Sequence, residues 1–223
     1  MDYVFQFGIV ADHRAALVDG ALATLRLSIA AIVCGLAIAV SAACIWKIGP
    51  KFARWVVIVY VEYIRNTPLL VQLFIIYFSL PAVGVRFDAN EAAILGLSLN
   101  LGGYATEIIR AGLDSIPKGQ IEAGRALGLT RFQIFRLVML FPALRTVYPA
   151  LASQFVILLL GSSIVSAISA TELTAITNTL QSTTFRAFEF YFVATGMYLA
   201  MAVALRSVLD AVQWIVFVRG RAW

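Results

Sequence analysis

Glu122-Ala123-Gly124-Arg125-Ala126-Leu127-Gly128-Leu129-Thr130 is a polar, charged, helix-forming island set between apolar segments long enough to cross a bilayer. A chain that only anchors itself has no need of such an island between two spans. A membrane protein driven by a soluble partner does need one, and it must be rigid. The island therefore predicts a docking surface on the cytoplasmic side.

The surrounding composition fixes the class. Of 223 residues, 61% are hydrophobic and 13% charged, and the mean hydropathy is +0.90. An ordinary globular domain is far less apolar, so the chain reads as an integral membrane protein. At about 20 residues per spanning helix, it holds about five or six spans and no sizeable soluble domain. It has no Gly-x-x-x-x-Gly-Lys-[Ser/Thr] stretch, and the glycines at Gly102-Gly103 and Gly161 sit inside apolar runs where a phosphate would be stranded. ATP hydrolysis is therefore expected on another chain.

Other classes are excluded on similar grounds. The formal charge of +5 comes from Lys and Arg scattered at span ends, which topology alone produces, so nucleic-acid binding is not expected. Cys34 and Cys44 fall about 15 Å apart along one predicted helix, too far for a disulfide, and are expected to be small core residues. Asp2, Asp12 and His13 precede the first apolar run, unlike a cleaved signal peptide, so the first span is expected to be retained. His13, beside Asp12 and Arg14, reads as a solvated surface position. No His, Cys or carboxylate grouping has metal-ligand spacing, and no nucleophile lies beside a base in a supporting motif, so catalysis is not expected.

The apolar segments are roughly 21–45, 55–80, 91–111, 144–168 and 190–217. They predict an all-α bundle of five transmembrane helices forming one domain over 1–223, with a cytoplasmic loop at 113–142. Lys47, Lys51 and Arg54 fill the first loop, Lys118, Arg125, Arg131 and Arg136 the third, and Arg219 and Arg221 end the chain; the second and fourth loops offer only Arg86 and Arg186. The positive-inside rule then places the N-terminus outside and the C-terminus inside. Trp46, Trp55 and Trp214 all fall at the inner interface, where amphipathic rings prefer to sit.

Within the third loop, Pro117 suits a first helical turn and Gly128 a C-terminal stop. Thr130 followed by Gln133 is a capping-box pattern, predicting a second helix through Phe132, Phe135 and Leu137 that ends at Pro142. The alternative is an amphipathic pair lying flat on the membrane.

These residues together resemble the membrane-spanning permease subunit of ATP-binding-cassette importers, in particular the polar amino-acid uptake group, over most of the chain. The family's cytoplasmic signature, Glu-Ala-Ala followed by Gly and later Leu-Pro, is similar to Glu122-Ala123-Gly124, Gly128 and Phe141-Pro142. Ile116-Pro117-Lys118-Gly119-Gln120 and Ala126-Leu127-Gly128-Leu129-Thr130 fit the amino-acid group more narrowly. So does Arg65-Asn66-Thr67-Pro68-Leu69-Leu70-Val71-Gln72-Leu73, where the group shows Arg-Gly-Thr-Pro-Leu-Leu-Val-Gln. Asn66 stands where relatives have Gly, and Leu160-Gly161-Ser162-Ser163-Ile164 lacks a Lys that many carry. The resemblance implies two permease subunits, identical or homologous, on a pair of ATPase subunits that bind Mg-ATP, fed with an amino acid by an extracytoplasmic binding protein. It also implies a bacterial cytoplasmic (inner) membrane, with lipid around the spans and no cofactor on this chain. Glu122, Ala123, Gly124, Leu127 and Gly128 would couple to the ATPase, with Glu122 the polar anchor, Ala123 the close contact and Gly128 the turn.

Ionisable groups are costly at membrane depth and face a partner or a cavity. Glu62 with Arg65, and Glu107 with Arg110, are spaced to pair on one helical face, which gives a structural reading beside the functional one. Pro68 is expected to break the second span and free carbonyls that only protein or a wet cavity tolerates. Asn66, Thr67, Gln72, Asn100, Tyr104, Ser162 and Ser163 could line such a cavity and bind a zwitterion, or could equally join helices. A stand-alone secondary transporter or channel would also explain these groups, but not the cytoplasmic island. A structural or assembly membrane protein needs no polar residues at depth.

Overall fold

The structure, a computed structural model, describes residues 4–219. Asp2, Arg221 and the side chain of Arg131, which entered the charge argument, lie outside what is described. Among the described residues every regular element is helical: α1 (Phe7–Asp12), α2 (Arg14–Ile48), α3 (Lys51–Arg65), α4 (Leu69–Phe74), α5 (Ala89–Asp114), α6 (Lys118–Ala126), α7 (Arg131–Gln133), α8 (Leu140–Gly161), α9 (Leu173–Thr184) and α10 (Ala187–Gln213), with short π and 3-10 turns extending several of them.

Among the described residues four helices are long and apolar enough to cross a membrane: Arg14–Lys47, Ala89–Asp114, Ile134–Ile168 and Ala187–Phe217. A fifth crossing requires Lys51–Arg65 and Leu69–Val83 to act as one broken span, bent by 112°. The apolar segment at 55–80 is thus not one straight rod. Pro68 has no N–H to donate and, with Asn66 and Thr67, interrupts the helical ladder.

The helix at the centre is α5, opened by a capping box in which Asp88 accepts from Glu91 N at 2.8 Å and Glu91 accepts from Asp88 N at 3.0 Å. Its middle turns expose backbone to their neighbours. A Cβ on Gly102 would lie 2.6 Å from the Tyr60 hydroxyl and 2.7 Å from Ile38, and one on Gly103 2.6 Å from Ile64. With no hydrophobic force between helices in lipid, close approach at small residues is what holds a bundle together. The main core follows from it: Leu27, Ala31 and Ala39 of α2, Leu73 of α4, Leu97, Leu101 and Ala105 of α5, and Phe155 and Leu158 of α8.

Two expectations need correction. Cys34 and Cys44 are exposed, not core: the inward positions of α2 are the turns at Ala31, Gly35, Ala39 and Ala42, and both thiols fall off that stripe. Pro142 does not end a helix. The π turn Ile134–Met139 runs into α8, and Leu140 N–H reaches back to Phe135 O, so the register shifts before Pro142 arrives in the first regular turn, where a missing donor costs little. The fourth loop contains a further helix, α9, whose N-cap is Glu172.

Candidate functional site

The island at 122–130 folds as a helix closed by a Schellman motif. Gly128 N donates to Arg125 O at 2.9 Å and Leu129 N to Gly124 O at 3.1 Å, with Gly128 at φ +74. Pro117 is the N-cap of α6, one residue before the first turn. Thr130 and Gln133 exchange the bonds of a capping box, Thr130 N to Gln133 Oε1 at 2.8 Å and Gln133 N to Thr130 Oγ1 at 3.3 Å. Gly124 is buried, and a Cβ there would lie 3.2 Å from Ile134. That contact holds α6 against the following segment, so Gly124 faces inward. Glu122, Ala123 and Leu127 face outward, Leu127 at 80% exposure, beside Phe132 at 69% and Leu137 at 65%. The helix thus presents the carboxylate of Glu122 among the exposed cations Lys118 and Arg125, with Leu127 at its end and Phe132 and Leu137 exposed on the segment that follows.

Immediately beneath lies a charge network. Glu107 accepts from Arg110 Nε at 3.1 Å, and Arg65 approaches it from the end of α3 at 4.0 Å. Arg110 also reaches Asp114 at 3.6 Å and stacks over Trp46 at 5.0 Å, while Lys47 pairs with Asp114 at 3.0 Å. The C-terminal ends of α2, α3 and α5 are therefore tied together where α5 gives way to α6. The Glu62–Arg65 pair that the spacing suggested does not form. Glu62 instead accepts from Asn66 Nδ2 at 3.0 Å, and Arg65 turns to the half-buried Glu107, which offers the less hydrated carboxylate.

The polar residues considered for a path separate into two sets. Gln72, only 4% exposed, donates through Nε2 to Ile64 O at 3.0 Å, Thr67 O at 3.1 Å and Thr67 Oγ1 at 2.9 Å, and accepts from Asn100 at 3.1 Å. It satisfies carbonyls that the break frees. Ser162 is buried and Ser163 half-buried, each donating to its own helix at Leu159 O and Leu160 O. By contrast Asn66 is exposed and Thr67 half-buried at the mouth of the break, and Tyr104 is half-buried one turn along α5 from Asn100.

Sequence reasoning missed a second polar region. Ser166, Ser169, Thr171, Asn178 and Thr179 line a pocket of about 420 Å³ where the 3-10 turn after α8 meets α9. Its wall is set by Glu172, which is fully buried and accepts from Thr174 N at 2.8 Å, Ala175 N at 2.6 Å and the Tyr198 hydroxyl. Burial pushes this carboxyl above the usual carboxylate range, and those hydrogen bonds oppose the shift. The available signal was a carboxylate just before a helix-forming run, a cap hidden by its Thr-rich surroundings. Arg206 and Asp210, an ion pair at 3.0 Å on α10, were also missed.

A helical bundle with a broken span and a helix-turn-helix loop at one end fits a membrane permease subunit. Residues 31–216 match the family described as the binding-protein-dependent transport system inner membrane component, and the chain belongs to that family. It is a multi-pass inner-membrane permease subunit of an ABC transporter. It is 36% identical over 195 residues to the glutamine transport system permease protein GlnP of Escherichia coli (strain K12), covering 86% of this chain and 89% of that one. It is 41% identical over 157 residues to the L-cystine transport system permease protein TcyB of Bacillus subtilis (strain 168), covering 70% and 67%. A crystal structure of an amino acid ABC transporter with histidines superposes with a TM-score of 0.89 at 33% identity, covering 95% of this chain and 99% of the other.

Proposed function

We propose that this subunit carries an amino acid across the membrane by alternating access while separate ATPase subunits, which bind Mg-ATP, dock on α6. The observation that carries this reading is the Schellman-closed helix: Glu122, Ala123 and Leu127 stand outward on a short element whose turn and packing leave it no freedom to yield. Closure of a partner pressed against it passes to α5 and α8 as tilt, through the charge network and the continuous helix from Ile134.

The likeness to glutamine and cystine permeases and to an amino acid transporter supports an amino-acid substrate. A second permease subunit completes the pathway, and an extracytoplasmic binding protein delivers the cargo. The positive loops put the N-terminus outside and the C-terminus inside. Along the path, Asn66, Thr67 and Tyr104 meet the zwitterion, while Gln72, Asn100 and Ser162 hold the walls.

Co-purification with the ATPase tests the docking, comparing the native chain with Glu122→Ala and Gly128→Pro at equal membrane levels. Retention by the native chain and loss from both variants is expected. Retention by all three would return α6 to the membrane surface.

A further inference from the structure

An open groove of about 510 Å³ runs along the outside of the bundle between α2 and α3, lined by Ala37, Ser41, Ile45, Val56, Val57 and Tyr60 among others. Its lining is largely apolar: the Tyr60 hydroxyl already donates to Leu99 O at 2.7 Å, which leaves the Ser41 hydroxyl as its other polar group. From Ala37 to Ile45 it follows α2 for about 12 Å. Such a surface suits a hydrocarbon chain and offers no charge to a zwitterion.

The inner end of the groove has a different character. The connection from Trp46 to Trp55 contains Lys47, Lys51 and Arg54 and no carboxylate. Lys47 is taken by Asp114, but among the described residues neither Lys51 nor Arg54 pairs with an acid, and both are exposed. Arg54 stands one turn below Val57 of the groove wall. Phe52 and Trp55, 75% and 60% exposed, stack beside these cations at 6.4 Å between centroids. Two cations without a carboxylate partner, Arg54 meeting only the Gly49 carbonyl at 3.5 Å, stand with interfacial aromatics at the end of an apolar channel and match a lipid with an anionic headgroup.

We infer that the α2–α3 groove is a seat for an anionic phospholipid, its acyl chain against Ala37, Ser41 and Val57 and its phosphate on Lys51 and Arg54. A helix from a second copy could fill the apolar channel, but only a lipid brings a hydrocarbon chain and an anionic head as one unit to the channel and to Lys51 and Arg54 at its end, so that pairing favours the lipid. The seat adjoins the Lys47–Asp114 and Arg110–Trp46 contacts, so an occupied groove braces the inner ends of α2 and α3 against α5. It does not depend on which cargo the permease moves.

The purified complex, in nanodiscs of equal parts phosphatidylglycerol and phosphatidylcholine, is delipidated stepwise, and retained lipid is counted by native mass spectrometry. Phosphatidylglycerol should be retained over phosphatidylcholine about 25-fold, since each cation at the surface is worth about a fivefold preference. Lys51→Gln and Arg54→Gln should each lower that preference about fivefold. Ala37→Trp, which fills the groove from an exposed position, should lower retention of both lipids while elution and helicity stay native. Equal retention of the two lipids by the native chain, or an unchanged preference in the Lys51→Gln/Arg54→Gln double variant, would overturn the inference. So would a cross-link between two permeases through Ser41→Cys in a background where Cys34 and Cys44 are alanine.

Discussion

Asn100 of α5 donates to the Gln72 side-chain oxygen at 3.1 Å, and the nitrogen of the same Gln72 amide is spent on Ile64 and Thr67 across the break between α3 and α4. One amide thus holds the bend closed and ties it to the central helix. Gln72→Leu leaves two carbonyls at membrane depth without that donor, at a cost of about 1–3 kcal/mol. Asn100→Leu strands a single buried acceptor, Gln72 Oε1, against two for Gln72→Leu, so its cost is the smaller. The apparent Tm of the detergent-solubilised complex should fall in both, and further for Gln72→Leu. A larger fall for Asn100→Leu would contradict the role assigned to Gln72.

At Gly128 the constraint is conformational. Nothing lies within 4 Å of an added Cβ, but φ is +74, which costs a non-glycine residue about 1–2 kcal/mol. Asn, which visits this region more readily, should retain most transport, whereas Val should lose most of it. ATP hydrolysis stimulated by the reconstituted permease is the readout. Equal activity of the Asn and Val variants would mean that the turn does not matter for coupling.

Glu107 should matter more than either cation beside it. It answers Arg65 and Arg110 together, while Arg110 keeps Asp114 as a second partner. Glu107→Gln therefore strands Arg65 and leaves Arg110 on Asp114 alone, whereas Arg65→Gln strands nothing. Thermal stability of the complex should fall in the first variant by about 1–3 kcal/mol and scarcely in the second. Restoration of Glu107→Gln by an added Arg65→Gln would confirm that the surplus charge is what costs.

The fold and the island were legible in the sequence for different reasons. Long apolar segments announce helical spans because lipid leaves backbone groups no partner but each other, and runs of about 20 residues suit a helix and not a barrel strand. The closed turn at Gly128 and the Thr130–Gln133 box are local, and nearby residues suffice to set them. The partner of Arg65 was not legible, because Glu107 lies on another helix and only packing brings it near. The same limit hid the bond between Gln72 and Asn100. Glu172 was missed for a third reason: a carboxylate in a short polar connection reads as solvated, yet the return of α9 against α2 and α10 buries it, with Leu173 N bonded to Thr24 at 3.0 Å and Tyr198 on the carboxylate.

That burial gives Glu172 a pH signature. Its carboxyl is raised in the folded protein because burial penalises the charge, so the proton is held more tightly folded than unfolded. A raised folded value means that the contribution to stability is complete below the unfolded carboxyl value of about 4.3 and is lost as pH climbs through the folded value. The apparent Tm of the complex should therefore decline as pH rises above the ordinary Glu range. Glu172→Gln stays neutral throughout and keeps one oxygen to accept from α9, so that part of its profile should be flat. Its stability should lie below the native chain at the acid end, where one cap bond is missing, and close the gap as pH rises. A native profile that rises over the same interval would mean that the bonds from Thr174, Ala175 and Tyr198 outweigh burial and keep the carboxylate ionised.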